Sequence, residues 1–164
     1  MANKSLIVYF SQTGNTKIAA DKIKALTDAD IVRLQPARPY HIYQVMQWSD
    51  RVDVEGKTDA YPAIKGEISN WRDYRLIYLG FPIWFWGAPT RIMATLFRDY
   101  DFSGKAVAPF YTSYSTDEAE AMAKLKEMTG NQDVNFLPGF RYRGNDRALT
   151  NWLNRLEMTH REVG

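Results

Sequence analysis

Cysteine is absent from this 164-residue chain, which excludes disulfides, thiolate metal ligation and a cysteine nucleophile together. Histidine is scarce: His41 and His160 lie far apart, neither beside a carboxylate cluster, so no metal site is expected and both read as solvent-exposed. An excess of either charge is missing too. Lys and Arg number 21 against 19 for Asp and Glu, and a net charge of +2 with the signs interspersed gives no reason to expect nucleic acid as a partner. No apolar run comes near the roughly 20 residues that a membrane span needs, and the run from Leu6 to Phe10 is too short for the core of a signal peptide. The expectation is a cytoplasmic protein with no membrane association. Internal repeats, low-complexity tracts and long linkers are absent as well. With 45% hydrophobic and 24% charged residues the composition is that of a globular protein, and the length suits a single domain over residues 1–164.

What the chain does have is alternation. Leu6 to Phe10, Ile31 to Leu34, Leu76 to Leu79, Lys105 to Tyr111 and Val134 to Leu137 are short apolar segments, as expected of strands buried on both faces. Pro109 removes a ladder donor and is expected near the end of its strand. Between these segments the apolar spacing is helical: Ala19, Ile23 and Leu26 share one face, Ile42, Val45 and Met46 mark a helix from Tyr40 to about Arg51, and Ile64, Ile68 and Trp71 a short one. Residues Asp53 to Ala60 read as loop. Met93, Leu96, Phe97 and Tyr100 form the buried side of a helix with Pro89 in its first turn. Ser115 and Glu118 have the spacing of a capping box, and Gly130 is a natural stop. Leu149, Trp152, Leu153 and Leu156 define the last helix, capped by Asn145 or Asp146 and frayed by His160. Strands and helices in this order predict an α/β protein, a three-layer doubly wound five-stranded parallel sheet. Ligands of such sheets sit beyond the carboxyl ends of the strands where strand order reverses, which directs attention to the loops after strands one, three and four.

In the first of these, Ser11, Gln12, Thr13, Gly14, Asn15 and Thr16 join a buried strand to a helix start. Amides at a helix N-terminus carry partial positive charge and can hold a phosphate without a lysine. Ser11, Thr13, Asn15 and Thr16 add side-chain donors, and Gly14 lets the backbone approach closely. An ordinary turn capped by Thr or Asn would look the same, but its position after strand one favours a ligand. The Gly-Lys-Ser/Thr ending of a nucleoside triphosphatase and the Gly-x-Gly-x-x-Gly dinucleotide pattern are both missing, which leaves a monophosphate ester as the better guest.

A Ser/Thr-x-Thr-Gly-Asn-Thr loop directly after the first strand resembles the FMN phosphate loop of flavodoxins. The similarity continues through Gly80-Phe81-Pro82-Ile83-Trp84, through Phe102-Ser103-Gly104-Lys105 leading to Thr112-Ser113, and into the Trp152-Leu153 helix. No long insertion splits the fifth strand, as in short-chain flavodoxins. The resemblance implies strand order 2-1-3-4-5, a non-covalently bound FMN, and electron transfer through its oxidised, semiquinone and hydroquinone states. Trp84, Phe85 and Trp86 put three large rings where a sheet-top loop is normally polar, and stacking on such rings would remove the flat isoalloxazine from water. Packing on the core or on another subunit is the competing role for each ring. The resemblance places Pro82, Ile83, Trp84 and Phe85 on the cofactor, with Trp86 and Gly87 beside them. Thr112, Ser113, Tyr114 and Ser115 would meet the pyrimidine edge, Tyr114 covering the second ring face.

The chain departs from the family's usual acidity, with a pI near 8.8, so a uniform negative field cannot steer its partners. The aromatic loop lacks Asp and Glu and is followed by Arg91, which predicts a less negative potential for the second electron than in acidic relatives. An electron carrier serving redox partner proteins, a reductase and an acceptor, as a monomer or weak dimer, is the leading expectation. An FMN-dependent NAD(P)H:quinone-type oxidoreductase is the alternative, favoured by the basic pI but lacking a recognisable nicotinamide motif. A phosphoacceptor domain is disfavoured, because Phe10-Ser11-Gln12 stands where that function needs an acidic pair. Asp117, Glu118 and Glu120 read as a helix start, and Arg141, Arg143 and Arg147 as a solvated face, the alternative being that one of them meets an acidic partner or the nucleotide of a reductant.

Overall fold

Each of the apolar segments pairs in parallel with its neighbours, and parallel strands require crossovers, which the intervening helices supply. The computed structural model describes residues 4–12, 14–38, 61–83, 89–113 and 115–163, the last six of these as backbone alone. In chain order the elements are β1 (Lys4–Tyr9), α1 (Asn15–Thr27), β2 (Asp30–Arg33), a 3₁₀ turn (Trp71–Asp73), β3 (Tyr74–Pro82), α2 (Ile92–Asp99), β4 (Ala106–Thr112), α3 (Glu118–Glu127), β5 (Asn135–Phe136), β6 (Phe140–Arg141) and α4 (Asp146–Val163). The strand order is β2-β1-β3-β4-β5, with β6 also on β4, every pair parallel. The parallel, doubly wound sheet is the one that the alternation of segments predicts, and its order is the one that the resemblance implies, with the reversal between β1 and β3.

Alternate residues of each strand feed two cores. Leu6, Val8 and Phe10 join Ile77, Leu79 and Phe81 under α2 and α3, while Ile7, Tyr9, Tyr78, Ala108 and Phe110 pack under α1 and α4. On α4 the buried face is Leu149, Trp152, Leu153 and Leu156, as its spacing implies. Asn145 caps that helix by accepting from the Ala148 amide at 3.0 Å. Helix α2 buries Ile92 through Phe97 without a break, more than one face can account for.

The fifth sheet position is filled by two short pieces. Leu137 and Tyr142 donate to the carbonyls of Val107 and Tyr111, so residues of that parity in β4 turn their backbone polar groups toward the fifth position. Pro109 shares the parity and sits mid-strand, not near the end as expected. Its missing N–H falls opposite residues 137–139, where β5 and β6 part and the ladder is already interrupted. The Trp152 indole fills part of the gap by donating to the Pro138 carbonyl at 2.8 Å.

Several local expectations give way to tertiary context. Leu26 is exposed, and α1 instead buries Thr16, Ala19, Ala20 and Ile23. Ile64 and Ile68 lie on no helix: Ile64 bridges Pro36, the Ile68 amide donates to the Tyr100 hydroxyl, and Trp71 opens the 3₁₀ turn. Pro89 precedes the helix rather than beginning it, because it bridges Ile83 and α2 starts only at Ile92. Asp117, not Ser115, caps α3, accepting from the Glu120 amide at 2.9 Å. His160 belongs to the backbone of α4 and not to a frayed tail. The expected helix over Tyr40 to Arg51, the loop Asp53 to Ala60 and His41 lie outside the described residues. Among the described residues no helix is long and apolar enough to cross a membrane, and no group of His, Asp and Glu could hold a metal.

Candidate functional site

Beyond the carboxyl ends of β1, β3 and β4 three chain segments meet at the strand reversal. Ser11 follows β1, and its hydroxyl accepts from the Gly14 amide at 3.1 Å, folding the loop back on itself. Gly14 stands as N-cap of α1 with φ 99° and has no side chain to satisfy the first-turn amides. A Thr or Asn cap, which an ordinary turn would use, is not found there. Those amides and the helix dipole are therefore available to an anion, and a Cβ added at Gly14 would meet nothing within 4 Å. A phosphate monoester suits this donor set, which contains no magnesium-binding carboxylate.

Thr16 links this loop to the next. It is 1% exposed, and its hydroxyl lies 2.9 Å from that of Thr112 at the end of β4. Thr112 in turn accepts, through its carbonyl, the Ile83 amide at 2.9 Å. Phe10 donates to the Gly80 carbonyl at 3.0 Å. The residues that the sequence separates into three motifs thus converge: Ser11, Gln12, Gly14, Asn15 and Thr16 from the first, Pro82 and Ile83 from the second, Thr112 and Ser113 from the third. Ser113 holds its own turn, its hydroxyl accepting from the amides of Ser115 and Thr116 at 3.3 and 3.1 Å. Ser115 is exposed at the far side of that turn. Thr13, Trp84, Phe85, Trp86, Gly87 and Tyr114 lie outside the described residues.

Two arginines that the sequence offers no reason to single out brace the loops from behind. Arg33, at the end of β2, donates to the Ser11 carbonyl at 2.6 Å. Arg141, at the end of β6, donates to the Ser113 carbonyl at 3.0 Å and is half-buried, which corrects its reading as part of a solvated face. Arg143 and Arg147 are exposed as expected. The nearby Tyr111 hydroxyl donates to the Thr116 carbonyl at 2.9 Å, and burial foremost pushes its pKa up to about 12, with Glu118 adding to the rise and Arg141 opposing it.

Fold and site together define a doubly wound α/β protein with a glycine-capped helix start at its strand reversal. A family model described as flavodoxin matches residues 4–156, and the chain belongs to that family. Among solved structures, a candidate flavoprotein of Bacteroides eggerthii gives a TM-score of 0.84 at 32% identity, over 93% of this chain and 97% of that one. A flavoprotein of Lactobacillus acidophilus in complex with FMN gives 0.71 at 26% identity, over 92% and 99%. Flavodoxin 2 of Bacillus cereus, at 18% identity and TM-score 0.58 over 93% and 94%, shares the fold. A comparison with curated proteins returns no match.

Proposed function

We propose that this chain binds FMN without a covalent bond and works as an electron carrier between a reductase and an acceptor, as a monomer or weak dimer. The observation that supports the reading is the junction of Thr16 with Thr112, which joins a glycine-capped helix start to the end of β4. The first-turn amides of α1 and the Thr16 hydroxyl would hold the phosphate, which gives the ligand its fixed end. Pro82, Ile83 and the ring-bearing residues 84–86 would exclude water from one face of the flavin, and Thr112 to Ser115 would meet its pyrimidine edge. When bound, the flavin supplies one- and two-electron redox chemistry, and the protein supplies orientation and potential. The family and the FMN complex of the Lactobacillus acidophilus relative support the choice of cofactor.

The test is a titration of apoprotein with FMN and with riboflavin, which lacks the phosphate. A hydrogen bond to a charged group is worth about 1.5–3 kcal/mol. Thr16→Ala should therefore weaken FMN roughly 10- to 100-fold, weaken riboflavin, which feels only the loss of the Thr112 contact, by clearly less, and be largely rescued by Thr16→Ser. Equal losses for the two ligands would refute the phosphate assignment. Bleaching of the bound flavin by dithionite but not by NADPH alone separates the carrier from the oxidoreductase.

A further inference from the structure

Ser11, which is buried, has both its hydroxyl and its carbonyl committed. The hydroxyl accepts from the Gly14 amide, and the carbonyl accepts from Arg33 Nη2 at 2.6 Å. Arg33 stands beside Tyr9 in the β1–β2 ladder, and the next residue, Leu34, donates its amide to the Tyr9 carbonyl at 2.7 Å. The backbone that carries Arg33 is thereby fixed against the strand that leads into the loop. Gly14 in turn accepts, through its carbonyl, the Ile18 amide at the start of α1. One line of hydrogen bonds therefore runs from β2 through Ser11 to the helix start. Arg33 itself is exposed, and neither hydrophobic core includes it.

A trans peptide carries its C=O and N–H on opposite sides of one plane. Drawing the Ser11 carbonyl toward Arg33 turns the Gln12 N–H of the same peptide the other way, and half a turn of that peptide would exchange the two. The exchange matters for an anion, which an amide attracts and a carbonyl oxygen repels. We propose that Arg33 is a positioning residue for the ligand's phosphate: it holds the Ser11–Gln12 peptide so that this loop does not turn a carbonyl toward an anion. The proposal rests on the FMN reading above and deepens it, by naming a residue that sets the preference for a phosphate ester over the same flavin without one. Arg33 acts through the orientation of one peptide and not through its field. The Lys17–Asp21 pair at 2.6 Å puts charges of both signs on the same flank, where net charge is no guide to anion preference.

The full-length apoprotein is titrated with FMN and with riboflavin, at low salt and in about 1 M KCl, where exposed charges are largely screened. A loop that is competent for only part of the time binds its ligand more weakly by that fraction. Arg33→Met should weaken FMN about three- to tenfold, the worth of one such hydrogen bond. Riboflavin should lose clearly less, and the difference between the two flavins should persist in high salt. Arg33→Lys, which keeps a donor of similar reach, should recover most of the FMN affinity. A general loss of structure would weaken both flavins alike, and equal losses overturn the proposal. So does an FMN loss that disappears in high salt, since the guanidinium would then act as a charge, and so does an Arg33→Lys variant as impaired as Arg33→Met. An Arg33→Met chain that does not fold would make Arg33 a brace of the fold and overturns the proposal equally. Wild type that binds neither flavin sinks the cofactor reading and this proposal with it, whereas wild type that binds both, with its preference for FMN kept in Arg33→Met, overturns this proposal alone.

Discussion

At Gly14 the backbone turns with φ 99° and ψ −9°, and a side chain there would be strained although the space around it is open. The left-handed region costs an L-residue about 1–2 kcal/mol, and any relief of that strain would rotate the amide that Ser11 now receives. Gly14→Ala is therefore expected to lower both stability, by roughly that amount, and FMN affinity. Thermal melting with and without FMN checks it: a variant with a normal melting temperature and normal affinity would mean that the positive φ is dispensable. Arg33 shows how far single-residue reading reaches. The donor loop was legible in the sequence because Ser, Thr, Gly and Asn crowd a strand-to-helix junction. Nothing near Arg33 marks it, since its target is a backbone carbonyl 22 positions away in the chain, and carbonyls carry no sequence signature.

Among the elements, β3 carries the closest backbone approach. A Cβ at Gly80 would stand 2.3 Å from the Phe110 ring, which is itself fully buried between β4 and the α1–α4 layer. Gly80→Ala must push that ring aside, an overpacking cost of about 1–3 kcal/mol. Gly80 also accepts from Phe10 at the mouth of the site, so the strand ends would shift with it. Denaturant unfolding of the apoprotein should show a lower midpoint, and an unchanged one would mean that the ring has an empty alternative position. Gln132 is a second element-level lock. Its side chain donates to the carbonyls of Phe97 and Tyr100 and accepts from the Phe102 amide, which closes α2 and starts the path into β4. Gln132→Ala strands three backbone groups, and at about 1 kcal/mol each the loss should approach 3 kcal/mol in the same unfolding assay. A loss below about 1 kcal/mol would mean that water replaces the amide. The strands were legible because fully buried parallel strands are runs of apolar residues. Helix ends were not: Ser115 offers the right spacing for a cap, yet its amide is already committed to Ser113, and Asp117 takes the role. Pro89 was misplaced for a related reason, its bridge to Ile83 being a contact that no local pattern records.

For the molecule as a whole, the buried phenols set an alkaline limit. Tyr74 donates to Asp30 at 2.7 Å, tying the start of β3 to β2, and that hydrogen bond, with burial, pushes its pKa up to about 12. Tyr111 reaches about 12 chiefly through burial, and Tyr78 and Tyr9 are raised by burial as well. A phenol whose pKa is higher folded than unfolded keeps its proton in the native state while the unfolded chain releases it. The stability it contributes is whole below about pH 10 and is lost as pH rises toward about 12. Lys105 acts in the opposite sense. Its ammonium is buried between the Trp71 and Tyr74 carbonyls, and desolvation lowers its pKa, so its contribution grows over the last stretch below its ordinary value of 10.5. Four raised phenols outweigh one depressed lysine, and the net slope should be downward. The expected result is a denaturant midpoint that falls between pH 10 and 12, with part of the phenolate absorbance appearing only as the chain unfolds. Tyr74→Phe should start from a lower midpoint, because Asp30 loses its donor, and then decline less steeply. Identical slopes for the variant and wild type would mean that the Asp30 contact does not hold the proton.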